Sequence, residues 1–212
     1  MSDFNSLTAS KLGDLIGKGE IDPVELTEYF ISQIELSPIG KKIYSTVTFQ
    51  LALEQAKDSK IRANLGRRLS SLDGVPISWK DLFDIKGYPC EAGSELLAGR
   101  LANKNAKVYK FAEAHGLICL GKTHMSELAF SGLGLNPIRE TPPCVNYPES
   151  VPGGSSSGAA TSVAFGLAAA GIGSDTGGSV RIPAAWNDLV GFKTTAGKLS
   201  LDGVVPLCSR FD

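Results

Sequence analysis

The sequence predicts an α/β fold with a mainly helical N-terminal region, and three observations predict it. Residues 1–70 carry apolar side chains at helical spacing between clear start and stop signals. From Asp73 onward, short apolar runs alternate with amphipathic segments, the pattern of strands layered with helices. Between residues 151 and 183, two serine–glycine clusters bracket a segment of small residues with helical character.

Taken in order, residues 7–16 form a short helix capped by Thr8. Asp22-Pro23-Val24-Glu25 starts the next one. Asp22 caps it, Pro23 suits the first helical position and Glu25 completes a capping box. Leu26, Phe30, Ile31 and Ile34 then recur at helical spacing until Pro38-Ile39-Gly40 stops the run. A further helix covers residues 47–63, with Leu51, Leu53 and Ala56 inward. Asp73-Gly74 turns the chain into a short strand over residues 75–79. Residues 105–115 read as an amphipathic helix with Val108, Phe111 and Ala112 on one face, closed by Gly116. Leu117-Ile118-Cys119-Leu120 is a buried strand. Residues 157–170 are a helix of small residues that lets neighbouring elements approach closely. Residues 172–174 and 190–192 are further short strands.

Composition excludes several function classes. With 42% hydrophobic and 20% charged residues in 212, the chain is an ordinary globular protein. A net charge of -1 gives no electrostatic reason to expect nucleic acid or an anionic membrane as partner. Cys90, Cys119, Cys144 and Cys208 form no CxxC pair, and two histidines complete no zinc spacing. No metal or other cofactor is expected, and reduced thiols suit a cytoplasmic protein. No charged-then-apolar leader opens the chain. The most apolar stretch, residues 163–173, falls short of the roughly 20 residues that span a bilayer.

Two motif matches fail on context. Residues 116–123, GLICLGKT, satisfy the P-loop pattern GxxxxGK[ST], but the middle positions Leu, Ile, Cys and Leu want burial as a strand. Gly154-Ser155-Ser156-Ser157-Gly158 satisfies GxSxG. That nucleophile elbow needs a downstream histidine, and His115 and His124 both lie upstream.

A serine hydrolase without histidine needs another base, and a lysine kept neutral by burial can serve. Lys80 directly follows the strand over residues 75–79. From position alone, a solvent lysine pairing with Asp81 or Asp84 is the favoured reading. Ser179 follows Thr176-Gly177-Gly178, whose backbone N–H groups can cradle a developing oxyanion. Ser179 reads equally as the N-cap of a following helix.

Taken together, GGSSSG, SDTGGSVRIPA and VPISWKD resemble the amidase signature family of serine hydrolases. The three motifs occur in the family's order, with Ser155 24 residues before Ser179 and Lys80 75 before Ser155. The resemblance implies a mixed β-sheet core flanked by helices. It also implies a Ser–Ser–Lys triad. Ser179 is the nucleophile, Ser155 the bridging serine entered through a cis peptide from Gly154, and Lys80 the neutral base. Thr176, Gly177 and Gly178 supply the oxyanion hole and substrate contacts. Gly154, Ser156, Asp175 and Arg181 are supporting, the last two as organisers of the loop. An acyl-enzyme on Ser179 is hydrolysed by water or intercepted by another nucleophile.

Family members are about twice as long. The chain is therefore expected to be the N-terminal part of one amidase signature domain, with residues 1–70 mainly helical and 71–212 carrying the triad. Alone it is expected to be poorly stable and largely inactive. The expected function is hydrolysis of a linear carboxamide, with a small-molecule amide as partner and a homodimer left open. The rival is the glutaminase A-type subunit of a tRNA-dependent amidotransferase, with its partner subunits. Ala184-Ala185-Trp186-Asn187-Asp188 departs from the small or Cys-containing stretch common there and mildly favours a stand-alone amidase. A third reading is an inactive fragment that lacks the C-terminal half.

Overall fold

A computed structural model describes residues 4–212. Two helices open it, α1 (Ala9–Gly17) and α2 (Pro23–Leu36). Thr8 caps α1 through the N–H of Lys11. Asp22 caps α2 through the N–H of Val24 at 2.8 Å, with Pro23 in the first turn. A single turn, α3 (Gly40–Ile43), leads into β1 (Tyr44–Val47) and then α4 (Phe49–Asn64).

The helix expected over residues 47–63 starts two residues later, because Val47 belongs to β1. Thr48 turns its hydroxyl to the Cys119 carbonyl at 2.8 Å, so it anchors the helix start to the sheet. The inward face of α4 is Ala52, Ala56 and Ser59, while Leu51 and Leu53 are only partly buried.

The core is a four-stranded mixed sheet in the order β1-β3-β2-β4. Its remaining strands are β2 (Pro76–Lys80), β3 (Ile118–Thr123) and β4 (Ala170–Ile172). β2 and β3 run parallel, joined across α5 (Lys107–Ala114). β4 also runs parallel to β2, reached through α6 (Ser157–Ala164), and β1 is antiparallel to β3. Every residue of β2 and β3 is buried. Trp79 fills the space under α5, its ring 5.5 Å from Phe83 and 5.1 Å from Tyr109.

Four further expectations need correction. The strand expected over residues 172–174 lies two residues earlier, at Ala170–Ile172. The α5 face toward the core is Val108, Tyr109 and Ala112; Phe111 is 60% exposed and lies on His115 at its helix end. The helix expected over residues 157–170 ends at Ala164, because Gly166 turns the chain at φ +67° and Ala169 then bonds the Pro76 carbonyl, leading into β4. Residues 190–192 are not a strand: Val190 and Phe192 are 99% and 78% exposed.

The GLICLGKT segment is what its apolar middle requires. It is a buried strand, with Lys122 wholly buried against Asp81 at 2.8 Å and the Pro89 carbonyl at 2.9 Å. No described helix is long and apolar enough to cross a membrane. A last helix, α7 (Arg181–Trp186), follows the second serine–glycine cluster.

Candidate active site

Parallel pairing decides where the chemistry collects. Trp79 lies opposite Ile172, so the carboxyl ends of β2 and β4 open at the same edge of the sheet. In open α/β sheets this is the edge where ligands bind. Lys80 is the last residue of β2, and Gly173-Ser174-Asp175 leaves β4 beside it. The loop before α6 brings Ser155 to the same place. Close approach of α6 requires glycine at two points. A Cβ on Gly158 would meet the His124 carbonyl oxygen at 2.6 Å, and one on Gly173 would meet Ser156 Oγ at 2.6 Å.

Lys80 is wholly buried, and its Nζ lies 2.7 Å from Ser155 Oγ and 2.8 Å from Ser174 Oγ. Burial pushes the amine down to about 7, against the opposing pull of the Asp212 and Asp175 carboxylates. The solvent pairing with Asp81 or Asp84 does not occur: Asp81 faces Lys122, and Asp84 binds Arg100. Ser155 is also wholly buried, and the Gly154–Ser155 peptide is cis.

Ser179 is 8% exposed on the loop before α7. Val180, not Ser179, occupies the cap position of that helix. Among the described residues no hydrogen bond joins Ser179 Oγ to Ser155 Oγ. The two loops are tied instead by the Ser156 N–H, which donates to the Ser179 carbonyl at 3.1 Å. Ser156 also donates its hydroxyl to the Ser174 carbonyl at 3.2 Å. The serine selected by the GxSxG pattern thus fastens the loops together.

Asp175 organises the second loop. Its carboxylate accepts the N–H of Gly178 at 2.7 Å and of Val180 at 3.1 Å, and it pairs with Arg181 at 2.9 Å through both Nε and Nη2. Burial pushes this carboxyl upward, but Arg181 and the backbone N–H groups outweigh it and hold the group well below the usual carboxylate range. The contribution to stability is therefore present above the ordinary value of 3.8 and disappears only as pH falls below it. Gly178 departs from expectation, because its N–H is spent on Asp175. The N–H groups of Thr176, Gly177 and Ser179 make no hydrogen bond among the described residues.

Two residues of the site are not legible in the sequence. Ser174 reads there as the end of a strand, and its place beside Lys80 follows only from the β2–β4 pairing. Asp212 accepts the N–H groups of Leu207 and Cys208 and the hydroxyl of Thr176, so it ties the 207–208 turn to the loop that carries Ser179. A cavity of about 130 Å³ adjoins the site, lined by Phe83, Ile172, Ser174, Asp175, Leu207 and Asp212 among others.

The sequence profile of the amidase family matches residues 25–212. The A component of glutamyl-tRNA(Gln) amidotransferase from Anaeromyxobacter dehalogenans is 41% identical over 91% of this chain and 39% of its own length. The same component from Acinetobacter baylyi is 36% identical over 100% of this chain and 43% of its own. Among solved structures, the peptide amidase of Stenotrophomonas maltophilia superposes with a TM-score of 0.88 at 29% identity, over 96% of this chain and 43% of that one. The chain thus spans about two fifths of the length of the relatives it matches. With the profile matched over most of its length, the chain belongs to the amidase signature family.

Proposed function

We propose that the intact protein hydrolyses a carboxamide C–N bond, with Ser179 as nucleophile, Ser155 as relay and Lys80 as base. One observation carries this reading: a wholly buried lysine, neutral above about pH 7, lies 2.7 Å from a buried serine whose loop is tied to that of Ser179. Ser179 Oγ attacks the amide carbonyl. Its proton passes to Ser155 as the Ser155 proton passes to Lys80. The resulting oxyanion is held by the free N–H groups of Thr176, Gly177 and Ser179. Collapse breaks the C–N bond, and the leaving amine takes the proton back through Ser155. Water then attacks the ester on Ser179 and gives a proton to the same relay; collapse breaks the acyl–Oγ bond, Ser179 takes that proton back through Ser155, and the carboxylic acid leaves and ionises in solvent. No step needs a metal or other cofactor. Four unpaired cysteines suit a cytoplasmic setting for this chemistry.

Ser179→Ala in the intact protein is expected to lower amide hydrolysis by at least about 10⁴-fold and to abolish labelling by a fluorophosphonate probe. Persistent labelling at the site would sink the nucleophile assignment.

The curated relatives favour a second reading, in which the protein is the A component of a glutamyl-tRNA(Gln) amidotransferase and works on glutamine with partner subunits. Ammonia release from free glutamine, measured with and without those partners, separates the two. Dependence on the partners selects the amidotransferase.

A further inference from the structure

The Lys80 amine has two hydroxyl neighbours at almost equal distance, Ser155 and Ser174. A neutral primary amine carries two N–H donors and one lone pair. The lone pair is the base, so the hydroxyl that donates to it is the one whose proton can be taken. If Ser174 donated to the lone pair, Ser155 could only receive an N–H, and the path from Ser179 would be closed.

Burial breaks this symmetry. Ser155 is 0% exposed, and among the described residues its Oγ has no partner except Lys80 Nζ. Its proton has nowhere else to go, and a buried donor left unpaired is costly. Ser174 is partly exposed and lines the adjoining cavity, so its own proton can point outward while its oxygen faces the amine. Ser174 is also fixed in place, because its carbonyl accepts the Ser156 hydroxyl and Asp175 follows it. The arrangement that satisfies every group has Ser155 donating to Lys80 and Lys80 donating to Ser174.

We infer that Ser174 is a positioning residue, an acceptor that turns the Lys80 lone pair toward Ser155. This rests on the Ser179–Ser155–Lys80 reading proposed above. Once Lys80 takes up the relayed proton, the ammonium donates to Ser174 as well, and hydrogen bonds from a charged donor are the stronger kind. Ser174 therefore both aims the base and favours its protonated form.

The test uses the rate at which a fluorophosphonate probe labels the intact protein, followed against pH. In that reaction Ser179 Oγ forms a bond to phosphorus, the P–F bond breaks, fluoride leaves and the serine proton goes through Ser155 to Lys80. Ser174→Ala is expected to slow labelling by about 10- to 100-fold. The midpoint of its acid limb moves down by about half a pH unit, because the ammonium loses more than the neutral amine. Ser174→Cys, of similar volume but a weaker acceptor, changes both quantities in the same direction by less. Ser174→Thr keeps the hydroxyl and restores the rate to within about threefold.

Unchanged labelling in Ser174→Ala, an unmoved midpoint, or equal slowing in Ser174→Ala and Ser174→Thr overturns the inference. Ser179→Ala serves as the control. If it still labels, the underlying reading fails. If it does not label and Ser174→Ala behaves as wild type, only the role of Ser174 fails.

Discussion

Lys80→Met in the intact protein is expected to be almost inactive and yet no less stable at neutral pH. The activity loss follows from removing the proposed base, a contribution of about 10²- to 10⁴-fold. The stability gain follows from the sign of the shift. Burial lowers the folded amine from 10.5 to about 7. Between those values the unfolded chain binds a proton that the folded chain does not, so stability rises with pH across the window. Below about pH 7 the full penalty of this shift, about 5 kcal/mol, weighs against folding. Methionine removes that penalty. It also removes two hydrogen bonds, worth about 1 kcal/mol each, and leaves the buried Ser155 hydroxyl unpaired at about 1–3 kcal/mol. The net gain is about 0–2 kcal/mol at pH 7, and it turns into a net loss of about 2–4 kcal/mol by pH 10. Denaturant titrations at the two pH values measure it, and a variant less stable than wild type at pH 7 contradicts the account. With Lys80 as the proposed base, the rate of the intact protein is expected to rise about tenfold per unit below pH 7 and to level off above it, as a pH–rate profile would show.

The second large effect belongs to the other buried lysine. Lys122→Met is expected to destabilise the protein by about 3–5 kcal/mol, because it leaves Asp81 charged and without its cation. Lys122 is wholly buried, and the Asp81 side chain is 6% exposed. Adding Asp81→Asn should recover at least half of the loss. The amide keeps the bond from the Glu91 N–H, at 3.2 Å in the parent, without the charge. Urea midpoints of the single and double variants decide it. A single-variant loss below about 1 kcal/mol would mean that this pair is no more than a surface bridge in effect.

Local rules were legible wherever a residue acts on its own neighbours. Asp22-Pro23 started a helix and Gly116 ended one, as capping chemistry requires. The strand before Lys80 was readable from its apolar run. The remaining misreadings involve partners that sequence spacing does not reveal. Tyr44–Val47 is four residues long and is a strand only because β3 lies beside it. Residues 190–192 are as apolar as a strand, but no strand of the sheet receives them. Ser174 is 94 residues from Lys80, and parallel pairing alone brings them within 2.8 Å. At the second loop, tandem glycines suggested a row of free donors. The nearby carboxylate of Asp175 competes for them and takes one.

The complete burial of Lys80 has a consequence beyond proton transfer. An amine that is neutral near pH 7 is inherently the kind of group that aldehydes, cyanate and activated esters attack first. The other lysines of the chain include well-exposed ones such as Lys60, Lys104 and Lys107, which are protected mainly by their charge. Lys80 has lost that protection and relies on enclosure alone. The fold thus keeps its most reactive nitrogen out of reach of stray electrophiles, while the 8%-exposed Ser179 and the partly exposed Ser174 stand nearer to what arrives from solvent.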